Sequence, residues 1–239
     1  MALPILETQT YELTLPSADI KVKYRPFLVK EEKVLLQALE SEDQKQIVNA
    51  LKEIVSACTF GGLQVDELPT FDLEYIFLQI RARSVGETAK LKILCPDDRK
   101  TYADIEVDLT KVDVQVDDSH TNNILVDENK KIGIIMKYPT LGSVDTDVKF
   151  DQKVSSKVLF DIIAKSIYQV YEGDKIFNAT DYTKDEMTKF IENLDSKTFL
   201  KVQEFYDTMP KLMHEIEIEN PKTKVKSKVV LQGLSDFFG

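Results

Sequence analysis

The chain has 239 residues, 43% hydrophobic and 30% charged, which is room for one large or two small folded domains rather than a disordered segment. Its 41 Asp and Glu outnumber 31 Lys and Arg for a formal charge of −10, spread along the chain, and so exclude nucleic acid as the expected partner, because phosphate binding needs a positive footprint. The opening Met-Ala-Leu-Pro-Ile-Leu-Glu lacks the basic and apolar regions of a signal peptide, and no apolar run reaches the roughly eighteen residues of a membrane span.

Taken in order, residues 10 to 24 predict two short strands. Tyr11, Leu13 and Leu15 alternate with polar residues, Pro16-Ser17 turns the chain, and Ile20, Val22 and Tyr24 resume the alternation. Pro26 precedes a helix with Glu31 and Glu32 in its first turn and an apolar stripe of Leu28, Leu35 and Leu39. A second helix carries Ile47, Leu51, Ile54, Val55 and Cys58 and stops at Gly61-Gly62. The third opens after Pro69-Thr70, sets Leu73, Ile76, Phe77 and Ile80 on one face, and closes in Arg81 and Arg83 before Gly86.

The period then changes to two. Leu91, Ile93 and Cys95 alternate, Pro96 to Arg99 reads as a tight turn, and Ile105, Val107, Leu109, Val112, Val114 and Val116 continue the strand pattern. Residues 117 to 130 read as a polar loop and Ile132 to Tyr138 as a strand. Helix returns at Val154, Val158, Leu159, Ile162 and Ile163; Thr183 and Glu186 form a capping box before Met187, Phe190, Ile191 and Leu194; a last helix carries Phe199, Val202, Phe205, Tyr206 and Met209. A C-terminal hairpin at about 212–231 follows. A four-residue loop, Asn220 to Thr223, would set Glu219, Glu217 and Glu215 opposite Lys224, Lys226 and Lys228 on its wet face. The expected fold class is α+β, helices with antiparallel β-hairpins. A weak boundary near the polar loop divides 1–116, N-terminal helices plus a hairpin region, from 117–239, a helical region ending in a hairpin.

Chemistry is sparse. Of two histidines, His120 lies in a polar loop and reads as solvent-exposed, while His214 falls on the inward face of a strand. No nucleophile elbow, phosphate-binding loop or dinucleotide fingerprint occurs, so no catalytic residue and no cofactor are assigned. The turns Cys95-Pro-Asp-Asp98 and Asn220-Pro-Lys-Thr223 stand where a Cys-x-x-Cys zinc knuckle would sit, but one thiol does not hold the ion. Cys58 and Cys95 read as reduced thiols.

Three stretches together resemble the baseplate hub proteins of T-even-type contractile-tailed bacteriophages. They are Tyr24-Arg-Pro-Phe-Leu-Val-Lys-Glu-Glu-Lys-Val-Leu-Leu-Gln-Ala-Leu-Glu40, Leu68-Pro-Thr-Phe-Asp-Leu-Glu-Tyr-Ile-Phe-Leu-Gln-Ile-Arg-Ala-Arg-Ser-Val-Gly86 and Leu231-Gln-Gly-Leu-Ser-Asp-Phe-Phe238. Family members often carry Cys-x-x-Cys pairs at the two turns; with Asp98, Asn220 and Thr223 in those places, no zinc is carried over. The resemblance implies a non-enzymatic subunit of the tail baseplate hub, assembled in the host cytoplasm, whose partners are other baseplate and tail proteins, with self-association open. The alternative it leaves is a hub assembly factor absent from the mature virion. Arg25, Glu31, Glu32, Asp72, Arg81 and Arg83 are candidate interface residues against a simpler reading as intramolecular ion pairs and caps. Phe237 and Phe238 are candidates if they do not fold back on their own domain.

Overall fold

A computed structural model describes residues 8–140 and 156–238, apart from the side chains of Gln44, Ser156, Lys157 and Phe238. They form an α+β fold of two compact units: residues up to 115 with those from 211 onward, and residues 116–210. The expected contribution of Val154 to a helix lies outside the described residues.

The first unit opens with β1 (Tyr11–Leu15) paired antiparallel to β2 (Ile20–Tyr24). Helices α1 (Val29–Glu40), α2 (Gln44–Cys58) and α3 (Thr70–Ser84) follow. Of the stripe expected on α1, Leu28 and Leu39 face solvent and Leu35 is half-buried, while the buried α1 residues are Glu31 and Ala38. By contrast α3 is buried almost all round, with Phe71, Leu78 and Ala82 joining Leu73, Ile76, Phe77 and Ile80, so it is the central helix of this unit. Asp72, in its first turn and fully buried, accepts the Ser17 N–H at 3.2 Å and the Ser17 hydroxyl, tying the β1–β2 turn to the helix. After α3, β3 (Thr88–Leu94) pairs with β4 (Tyr102–Asp108), and β5 (Asp113–Gln115) ends this leg.

Among the described residues, the second unit is a four-stranded antiparallel sheet with three α-helices. β6 (Asn123–Asp127) and β7 (Ile132–Met136) form one hairpin, α4 (Ser156–Ser166) intervenes, and β8 (Ile167–Glu172) and β9 (Lys175–Asn178) form another, giving the order β6-β7-β8-β9. The expected loop over 117–130 therefore contains a strand. Asn-Ile-Leu-Val-Asp is short and bounded by polar residues, and pairing with β7, which buries Ile124 against Ile134, decides its state. The β8–β9 hairpin turns at Gly173-Asp174, with Gly173 at φ 59°, a conformation glycine adopts without strain. Gly133 is needed for another reason. A Cβ there would lie 2.2 Å from the ring of its cross-strand partner Tyr171, whose hydroxyl donates to Asn123 Oδ1 at 2.9 Å. Helices α5 (Lys184–Glu192) and α6 (Ser196–Thr208) complete the core with Met187, Ile191, Val202 and Phe205. The expected capping box is present: Glu186 Oε2 accepts the Thr183 N–H at 2.8 Å while Thr183 Oγ1 accepts the Glu186 N–H at 3.3 Å.

The chain then returns to the first unit. β10 (Lys211–Glu219) pairs antiparallel with both β5 and β11 (Lys226–Gln232), and α7 (Gly233–Phe238) follows. The C-terminal hairpin is present, but its register differs from expectation by one lysine pair: Glu219 faces Lys226 and Glu217 faces Lys228. The loop is longer because Asn220 N–H donates to Val225 O and Lys224 N–H to Asn220 O, both at 2.9 Å, with Lys224 at φ 62°. The expected ion pairs form nevertheless, as diagonals: Lys224–Glu219 at 3.7 Å, Lys226–Glu217 at 2.9 Å and Lys228–Glu215 at 2.6 Å. Long lysine side chains span that offset. Beneath them Leu78, Leu91, Val107, Leu109, Leu212, Leu231 and Phe237 make one core cluster.

Candidate interaction surfaces

The link from β2 to α1 is where three helix ends of the first unit meet. Arg25 N–H donates to Cys58 O, at the end of α2, at 3.0 Å, and Phe27 N–H donates to Ser84 Oγ, at the end of α3, at 2.9 Å. Around this junction large apolar side chains are left in solvent: Val29 at 80% exposure, Val85 at 61% and Phe60 at 60%, with Leu28 beside them. Phe60 projects from a residue at φ 58°, which the helix terminus imposes on a non-glycine side chain. The two longest segments of the resemblance, 24–40 and 68–86, supply most of this end. Exposed apolar side chains at the ends of three elements that these bonds bring together are the kind of surface that a neighbouring protein covers.

Beneath it lies Arg25, which points inward. Its Nη2 meets Glu31 Oε1 at 3.0 Å and its Nη1 donates to Pro26 O at 2.9 Å, the two charged side chains being 11% and 7% exposed. Glu31 Oε2 also accepts the Leu28 N–H at 2.7 Å. Burial pushes the Glu31 carboxyl up, but the Arg25 hydrogen bond and the Leu28 N–H outweigh it and hold it below its ordinary value. Glu32 is half-buried on the same helix. Arg83 is the outward-facing arginine: it pairs with Glu87 one turn on and lies 5.0 Å over the Tyr11 ring. Arg81 is half-buried, and burial lowers the pKa of its guanidinium. Phe237 folds back and is fully buried between Leu78, Leu212 and Leu231, so it belongs to the core. The side chain of Phe238 lies outside the described residues.

The two turns that stand where a zinc knuckle would sit do come together. Asn220, itself buried, donates its amide to Asp97 Oδ1 at 2.9 Å and Oδ2 at 3.1 Å, and Thr223 Oγ1 donates to Asp97 Oδ2 at 2.6 Å. Asn220 Oδ1 in turn accepts the Lys222 N–H at 2.9 Å and the Thr223 N–H at 3.2 Å. The β3–β4 and β10–β11 turns are thus clasped by hydrogen bonds. Among the described residues no group of three or more His, Cys, Asp or Glu is placed to hold a metal ion. Cys58 and Cys95 are buried free thiols, and burial pushes Cys58 up to about 11, which makes it inert as a nucleophile.

In the second unit His120 departs from its expected exposure. Its Nδ1 lies 2.9 Å from Thr208 Oγ1 and its Nε2 3.1 Å from the Tyr138 hydroxyl, with the ring against Tyr138 and Phe205 at 5.6 and 5.2 Å. Thr208 Oγ1 already donates to Glu204 O at 2.7 Å. Nδ1–H therefore donates to Thr208 and Nε2 accepts from Tyr138, a neutral imidazole with both nitrogens engaged. Burial lowers its pKa, which Asp117 opposes. This histidine braces the junction of the 117–122 segment with α6.

Between the β7–β8–β9 face and α5 runs a groove of about 450 Å³. Val170, Phe177, Tyr182, Met187 and Phe190 line it, with Glu172 and Glu186 at its edge. A second depression of about 330 Å³ lies between α4, α5 and α6 at Phe160, Ile191, Phe199 and Leu200. Sequence reasoning missed the first groove because it missed β8 and β9; the Ile-Tyr-Gln-Val-Tyr-Glu alternation before Gly173-Asp174 is the signal that could have found them.

Compared with known proteins, the chain matches over residues 8–239 a family model described as T4 bacteriophage base plate protein. No curated protein and no solved structure matches it.

Proposed function

This chain belongs to the T4 bacteriophage base plate protein family and is a structural protein of the virion's tail baseplate, and on that premise we propose that it is a component of the central hub. It works there through protein–protein interfaces with other baseplate and tail proteins, and the reading is of a non-enzymatic part. The observation that carries it is the exposed apolar junction of α1, α2 and α3, with Val29, Phe60 and Val85 in solvent above an internally satisfied Arg25–Glu31 pair. Apolar side chains clustered at one end of a folded unit favour a neighbour that covers them, and the segments resembling hub proteins supply that end. Arg83 stands at its margin as a polar contact, and Arg25 supports the surface from within.

Mass spectrometry of purified tails tests the placement. A hub component is present at a fixed ratio to the other hub proteins, and substituting Val29→Glu with Phe60→Glu removes it from tails while the isolated protein stays folded. Presence in infected cells combined with absence from mature tails replaces the component reading with that of an assembly factor.

A further inference from the structure

The groove of the second unit has features that a mere packing gap lacks. Its walls are aliphatic and aromatic, from the core face of β8 and β9 (Val170, Phe177) and from α5 and the turn before it (Tyr182, Met187, Phe190). Its volume, about 450 Å³, exceeds one side chain and falls in the size range of ligand-sized clefts. Both ionisable carboxyl groups that line it, Glu172 and Glu186, sit at the rim, and no cation lines it. Glu186 is held charged, since the Thr183 N–H and hydroxyl keep its carboxyl below the ordinary range. Glu172 is only loosely met by Lys175, at 3.7 Å with both side chains largely in water. β9 is an edge strand of its sheet, and Ile176 on it, 61% exposed, alternates with Phe177 and so stands on the face away from the groove.

We propose that this groove is a docking site for a short basic–apolar segment of another protein, one or two bulky apolar side chains entering between β9 and α5 while a neighbouring lysine or arginine meets Glu172 and Glu186. Charge complementarity chooses the occupant. A carboxylate rim on a chain of net charge −10 repels acidic segments and draws cationic ones. A second copy of this chain fits poorly, because in its densest basic run, Lys222, Lys224, Lys226 and Lys228, the last two are held by Glu217 and Glu215 at 2.9 and 2.6 Å, and the interleaved Thr223, Val225 and Ser227 include no aromatic side chain to enter the groove. A small metabolite fits poorly too, because the lining is mostly apolar and its charged groups are two exposed carboxylates of one sign. The site is distinct from the apolar end of the first unit, and rests on the baseplate reading only in taking its occupant from a neighbouring tail protein.

The test uses the full chain, ¹⁵N-labelled, titrated with three synthetic peptides: Lys-Phe-Lys-Leu-Lys, its acidic counterpart Glu-Phe-Glu-Leu-Glu, and its polar counterpart Lys-Ser-Lys-Ser-Lys. The first is expected to bind at least tenfold more tightly than either other, to shift amides of residues 170–190, and to weaken as salt rises. Glu172→Lys, a surface change that leaves the fold intact by circular dichroism, is expected to lower that affinity at least tenfold, and Tyr182→Lys, at the mouth, to do the same. Equal binding of the acidic or polar peptide, shifts centred elsewhere, an affinity untouched by Glu172→Lys, or a dimer that buries these residues overturns the proposal. Each of those results leaves the virion mass-spectrometric test of the baseplate reading unaffected, so the two failures are told apart.

Discussion

Replacing Arg25 by alanine separates an arginine that holds the fold from one that touches a partner. The substitution removes a charge-assisted hydrogen bond to a nearly buried carboxylate, of order ~1.5–3 kcal/mol, and the bond to Pro26 O, about 1 kcal/mol. Stranding a buried charge costs about 3–5 kcal/mol when nothing else meets it. Glu31 keeps the Leu28 N–H at 2.7 Å and Lys30 Nζ at 3.4 Å, which softens that penalty. The expected loss is therefore about 3 kcal/mol, or a fall in melting temperature of roughly 10 °C for a unit of this size. Far-UV circular dichroism is the assay, since the chain has no tryptophan. The acid limb carries the same signature. Glu31 titrates below 4.5 in the folded state, so its contribution is present above that pH and is lost as the pH falls through the folded value. In Arg25→Ala that dependence flattens. A variant within about 0.5 kcal/mol of the native chain that still fails to enter tails would refute the reasoning and move Arg25 to an interface.

Three further outcomes follow from the buried groups. Phe237→Ala opens a cavity among Leu78, Leu212 and Leu231 and is expected to lower stability by about 3–5 kcal/mol, read in urea denaturation. Burial raises the Glu74 carboxyl to about 7, opposed by the N–H of Leu234 at the start of α7. Its stabilising effect is full below about 4.5 and is lost as the pH rises through 7, so thermal stability falls between pH 5 and 8 and Glu74→Gln removes that slope. His120 behaves oppositely: its folded pKa is depressed, so the second unit is most stable above 6.5 and loses stability as the pH falls below it. With only two histidines in the chain, proton NMR resolves the titration, and Tyr138→Phe, which deletes the donor to Nε2, is expected to raise the His120 pKa.

Elements whose own side chains declare them were legible in the sequence. The α3 period, the Thr183–Glu186 capping box and the alternation of β10 and β11 each follow from local chemistry, and the structure contains all three. What escaped was set by partners distant in sequence. β6 is a strand because β7 pairs with it; β8 begins directly where α4 stops, at Ser166–Ile167, with no breaker between them to mark the change. The hairpin ion pairs were readable from charge order, but their backbone register was not, since Asn220 and Lys224 lengthen the loop through bonds a pattern of alternation does not contain. The α1 stripe misled in the opposite sense. Leu28 and Leu39 keep helical spacing yet lie in solvent, and nothing in a period distinguishes a face meant for the core from one left for another molecule.

The pairing of Gln115 with Lys211 has a consequence for how the polypeptide is made. A ribosome releases β3, β4 and β5 before residues 116–210, and only then the strands that cover Leu91, Val107 and Leu109. At about 5–20 residues per second, that apolar surface stays uncovered on the nascent chain for on the order of 10 s, while the intervening unit has everything it needs to finish first. The early-made strands β3 and β4, and the face of α3 that carries Leu78 and Ala82, are thus sealed last. Premature termination anywhere before Leu231 leaves them as the sticky part of the product, open to aggregation or to capture by a chaperone.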